Sequence, residues 1–90
     1  MIRITREADY GIVLMSCLAQ ADGQPCSAAA LAQRRRLPLP MVSKILKTLA
    51  RAGLLISQRG VQGGYSLARS PAEISAVDII DALEGPVAIT

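Results

Sequence analysis

Leu37–Ala68 reads LPLPMVSKILKTLARAGLLISQRGVQGGYSLA, and three kinds of local instruction follow one another along it. Leu37-Pro38-Leu39-Pro40 interrupts a helical pattern. A residue that precedes proline avoids the α region, so Leu37 and Leu39 are expected to be extended. Pro40 then suits the first position of a new helix, which runs to about Ala52 and stops at Gly53. Val42, Ile45, Leu46 and Leu49 share one face of that helix. Leu54–Gln58 reads as a short strand and Tyr65–Ala68 as its return. Between them, Arg59-Gly60-Val61-Gln62-Gly63-Gly64 is a hairpin tip whose glycines permit the positive φ angles of a tight turn.

Outward from this stretch the punctuation is equally local. Ser27 caps a short helix through Arg35 or Arg36. Only three or four residues separate it from the next helix, the spacing of a helix-turn-helix with proline in place of the usual glycine. Thr5 caps a first helix to about Ala19, with Tyr10, Val13, Leu14, Cys17 and Leu18 on its apolar face and Gly11 as a weak point. Asp22-Gly23-Gln24-Pro25 is a turn. Pro71 ends the return strand. Ser75 caps a final helix with Asp78 as capping-box partner, Ile74 and Ile79 form a hydrophobic staple, and Gly85-Pro86 stops it. The predicted fold is mainly α with a small antiparallel β-hairpin, a winged helix-turn-helix. It is one domain over 1–90, with the helix-turn-helix at about 27–53, the wing at about 54–69 and the final helix at about 75–84.

Ninety residues hold one domain with a small core. Only Tyr10 and Tyr65 are aromatic, so the core must be aliphatic, and base-stacking single-strand binders, which need aromatic platforms, are disfavoured. The chain has no histidine, which removes the usual base of a nucleophile–base pair; no enzyme is expected. Cys17 and Cys26 have neither zinc-site nor disulfide spacing. Cys17 falls on the apolar stripe and reads as a buried structural thiol, Cys26 as a loop thiol. No apolar run approaches the roughly 20 residues of a membrane span, and Glu7 and Asp9 interrupt any secretory leader. The expectation is a cytoplasmic chain with no membrane partner.

Charge points to a partner. Between Asp22 and Glu73 there is no acid, while Arg34, Arg35, Arg36, Lys44, Lys47, Arg51, Arg59 and Arg69 all lie there. A net charge of +3 understates this, because the acids gather at the two ends. Segregated basic charge is the footprint of a nucleic-acid contact surface. In the third helix Pro40, Lys44, Lys47 and Arg51 recur at i, i+4, i+7 and i+11, opposite the apolar face. Residues early in such a helix reach base edges in the major groove, so Met41, Ser43, Lys44 and Lys47 are candidates. Lysine pairs with guanine acceptors, Met41 could touch a thymine methyl, Ser43 serves base or phosphate, and Arg51 meets phosphate. Arg59, with Gln62, could enter a narrow minor groove. Arg34, Arg35 and Arg36 either complement the helix dipole or hold phosphates; both readings stand. A phosphate-cradling nucleotide loop does not fit, because the glycines lead into a strand and no glycine-lysine-serine/threonine follows. Asp78, Asp81 and Glu84 read as solvated helix surface.

Thr5-Arg6-Glu7-Ala8-Asp9-Tyr10, the run Ile45–Leu55, the wing Arg59–Ala68 and Ile80-Asp81-Ala82-Leu83-Glu84-Gly85-Pro86 resemble the IscR-type regulators, the Rrf2 family of bacterial winged-helix transcription factors. Within it the likeness is nearest to the regulators of SUF iron–sulfur assembly operons. The resemblance implies a homodimer on palindromic double-stranded DNA, a repressor responsive to iron–sulfur or redox status. It implies the third helix in the major groove and Arg59 in the minor groove. Family members usually hold an iron–sulfur cluster on three cysteines in a loop after the final helix, ahead of a long dimerisation helix. These 90 residues contain neither, and Cys17 and Cys26 do not match those cysteines. No cofactor is therefore expected in this chain, and a monomer or weak dimer is. Asp9 matches a position that in some members ligates the partner's cluster. The rival class is a winged-helix protein-interaction module, or a truncated dimerisation partner, without DNA binding of its own. High-salt pull-down separates the two.

Overall fold

Hydroxyl caps set the starts of three of the four α-helices among the described residues. Thr5 Oγ1 accepts the Ala8 N–H at 3.1 Å and opens α1, Arg6–Gln20. Ser27 Oγ accepts the Ala30 N–H at 3.0 Å and opens α2, Ala28–Arg35. Ser75 and Asp78 complete a reciprocal capping box at α4, Ala76–Glu84. The computed structural model describes residues 5–61 and 63–85. Within them lie α3, Leu39–Arg51, and the antiparallel strands β1, Leu55–Gln58, and β2, Gly64–Leu67, in register Leu55 with Leu67 through Gln58 with Gly64. The winged-helix expectation holds.

Several local expectations shift. Leu39 is helical rather than extended: Pro38 is the N-cap and Pro40 occupies the second helical position. The restriction before proline is a steric bias. In the first turn proline's missing N–H costs nothing, because those donors have no partner within the helix. Pro71–Glu73 forms a 3-10 turn between β2 and α4, tied by Ser70 Oγ donating to Glu73 Oε1 at 3.0 Å. Cys26 is more than a loop residue. Its backbone exchanges both hydrogen bonds with Tyr65, at 2.9 and 2.8 Å, so the segment before α2 adds a second, one-residue pairing to the wing.

The core is aliphatic, as the composition requires: Leu14, Leu18, Leu31, Val42, Ile45, Leu46, Leu49 and Ile79 are buried with Cys17 among them. Val13 stands at the edge of the α1 arc, half-exposed; Ala8, Gly11 and Met15 are buried in its stead. The reason is α4, which runs back along α1. A side chain at Gly11 would run into Leu83 and come within 3.3 Å of Ile79. The weak point of α1 is therefore the place where α4 closes on it. Cys17 is the buried thiol expected, and both cysteines are free.

Candidate nucleic-acid interface

The surface is built on α3. Its inner face is Val42, Ile45, Leu46 and Leu49, all essentially inaccessible. That burial fixes the helix's rotation about its own axis, so Lys44, Lys47 and Arg51 must face solvent, and all three are exposed. Ser43 and Thr48 flank them half-buried, with Thr48 Oγ1 donating to the Lys44 carbonyl at 2.9 Å. Met41 differs from the other base-edge candidates: its side chain is half-buried and packs against the core. A gap-filling methionine there leaves less of itself for a base.

The arginine trio divides. Arg34 is exposed on α2 and borders an open cleft of about 860 Å³, whose far wall is Gln58, Arg59, Gly60, Val61 and Gly63 of the wing. Arg34 and Arg59 are thus two cationic rims of one polar cleft. Arg35 turns to α1, where its Nε donates to Cys17 Sγ at 3.0 Å. Arg36 is exposed at the end of α2 in the left-handed region, φ 56° and ψ 47°. Gln62 lies outside the described residues.

Arg69, counted with the basic segment in sequence, is elsewhere in space. It lines a shallow pocket with Asp78 and Asp81 of α4. Two features escaped the sequence reading. Leu39, the first residue of α3, is 47% exposed, and Val61 at the wing tip is wholly exposed. The Cys26–Tyr65 bridge, which anchors the wing beside α2, had only Tyr65's half-buried position in an alternating strand as its signal.

A cationic helix face beside a cationic wing has the charge to receive a polyanion. Among the described residues no three histidine, cysteine or carboxylate side chains gather to hold a metal ion. The profile of the Rrf2 family, described as an iron-dependent transcriptional regulator, matches residues 4–90. The chain belongs to the Rrf2 family. The relatives agree with it. The HTH-type transcriptional regulator slr0846 of Synechocystis is 40% identical over 84 residues, which are 92% of this chain and 57% of that protein. CymR of Bacillus subtilis is 38% identical over 87 residues, 96% of this chain and 63% of CymR. The structure of CymR, the global cysteine regulator of B. subtilis, superposes on 100% of this chain and 70% of its own with a TM-score of 0.89 at 37% identity. T. potens IscR does so over 99% and 66%, with a TM-score of 0.83 at 38% identity. The chain thus spans less than two thirds of these two curated Rrf2 relatives. They do not single out the SUF-type regulators. These Rrf2 relatives are transcriptional regulators, not enzymes. No helix among the described residues is long and apolar enough to cross a membrane.

Proposed function

We propose that this chain is the sequence-specific double-stranded-DNA-binding domain of a transcriptional repressor, with α3 in the major groove and the wing in the minor groove. The observation that carries this reading is the outward stripe Lys44, Lys47 and Arg51, held opposite a fully buried face and accompanied by the Arg34–Arg59 cleft. Lys44 and Lys47, with Ser43, meet base edges; Arg51, Arg34 and Arg36 meet phosphates; Arg59 and Gln62 meet the minor groove. The family supports a homodimer, and a homodimer would read a two-fold repeated operator.

The family's iron dependence supports an iron- or redox-linked signal for the whole protein. The described residues do not fit the ligands of a cluster. Cys17 is buried and takes the Arg35 N–H, while Cys26 sits in the wing anchor with its thiol directed to the Gln24 carbonyl. Cys17 and Cys26 are therefore not assigned as cluster ligands in this reading.

Selection of bound fragments from random duplex DNA at moderate salt tests the reading. An enriched motif, two-fold repeated, is the expected result. Salt-sensitive binding with no sequence preference would defeat it.

A further inference from the structure

Leu39 begins α3 and leaves 47% of its surface in water. Its N-cap, Pro38, makes no side-chain hydrogen bond, and Leu39 is absent from the partly buried residues that pack on the core. Prolines on both sides hold the backbone there, so the side chain is presented from a stiff segment. Leu39, Ser43 and Lys47 lie at i, i+4 and i+8, one row along the helix bordering the basic stripe. Met41, the apolar side chain first expected to meet a base, is half-buried against the core instead.

In the major groove a base pair shows hydrogen-bonding edges and one apolar group, the C5 methyl of thymine. The first residues of a recognition helix are those that reach base edges. We infer that Leu39 is a specificity-determining residue that packs on a thymine methyl in each half-site, at the start of the row that Ser43 and Lys47 continue. This rests on the DNA-binding reading above. It assigns apolar readout to Leu39 rather than Met41.

The test replaces each thymine of the selected operator in turn with uracil, which removes the methyl and leaves base pairing and the hydrogen-bonding edge intact. The unmodified chain loses about fourfold in affinity at one thymine per half-site, roughly what burying one methyl-sized group contributes. Leu39→Ala binds the thymine and uracil duplexes equally at that position. Leu39→Met keeps an apolar contact and keeps the preference, so the pair separates a lost contact from a lost fold. Lys44→Ala weakens binding but leaves the thymine–uracil difference intact. The inference is overturned if Leu39→Ala still discriminates, or if the unmodified chain is indifferent to uracil at every position while retaining its motif. Absence of any enriched motif overturns the underlying DNA-binding reading instead.

Discussion

Arg36 occupies a slot that usually belongs to glycine. The Leu37 N–H reaches back to the Ala32 carbonyl at 2.9 Å and the Arg36 N–H to Gln33 at 3.3 Å, the paired bonds of a helix C-terminus that needs a left-handed residue between them. Arginine adopts φ 56° there against a steric cost of roughly 1–2 kcal/mol. Arg36→Gly relieves that cost but loosens the unfolded chain, for a net gain of roughly 0.5–1 kcal/mol and a few degrees in Tm. The same change removes a cation from the proposed DNA face, so affinity is expected to fall as stability rises. Thermal melting and binding measured on one variant decide it; affinity unchanged would take Arg36 off the interface. Its neighbours separate in the opposite sense. Arg35→Ala loses the bond to the Cys17 thiol and costs about 1 kcal/mol of stability, whereas Arg34→Ala leaves the melt unchanged and weakens DNA binding. Equal melts for the two variants would remove the structural role of Arg35. The sequence showed three adjacent arginines but could not rank them, because the thiol that captures one sits a helix away.

At the scale of elements, the caps and stops were legible because their chemistry is local: Thr5, Ser27, Ser75 with Asp78, and Gly53 each act on backbone within a few residues. The attachment of the wing was not, since it joins Cys26 to a residue in a different element. Gly64 makes that joint possible. Its φ is +149°, and a Cβ there would lie 2.5–2.8 Å from the backbone of Cys26 and Ser27. Gly64→Ala therefore costs about 2 kcal/mol or more and loosens the wing from the segment before α2. Gly60→Ala, with φ +116° but open space around it, bears only the backbone strain and melts between the two. Hydrogen exchange at the Cys26 and Tyr65 amides reports the joint directly. Protection there in Gly64→Ala equal to the unmodified chain would show that the bridge tolerates a side chain. A second consequence concerns DNA: Arg59→Ala lowers affinity chiefly on sites with A·T-rich flanks, where the minor groove is narrow. Loss independent of flank composition would move Arg59 to a phosphate.

For the whole molecule, the fold distributes the basic segment over several elements. Eight bases lie in the acid-free segment; Arg69 lines a pocket with Asp78 and Asp81 of α4, and Arg35 is tied to α1 by its bond to Cys17. The remaining cations are Arg34, Arg36, Lys44, Lys47, Arg51 and Arg59, all exposed on α2, α3 and the wing. Asp81 and Glu84 are exposed on α4 and Glu73 on the 3-10 turn before it, so these acids lie on different elements from the cations. Separation of this kind orients the approach to a polyanion before any base is read. The number of phosphates neutralised is measurable, because each releases condensed counterions at close to 0.9 per contact on B-DNA. Three phosphate contacts per protomer, from Arg34, Arg36 and Arg51, give a slope of about −3 for log affinity against log salt. Arg51→Ala makes that slope shallower by about one, whereas Arg69→Ala leaves it unchanged, although the two substitutions remove the same formal charge. A slope that responds equally to both would mean that net charge governs binding and that the fold has not sorted the cations. A response confined to Arg51 would show that the buried face of α3, by fixing the rotation of the helix, selects which of the chain's cations reach the phosphates.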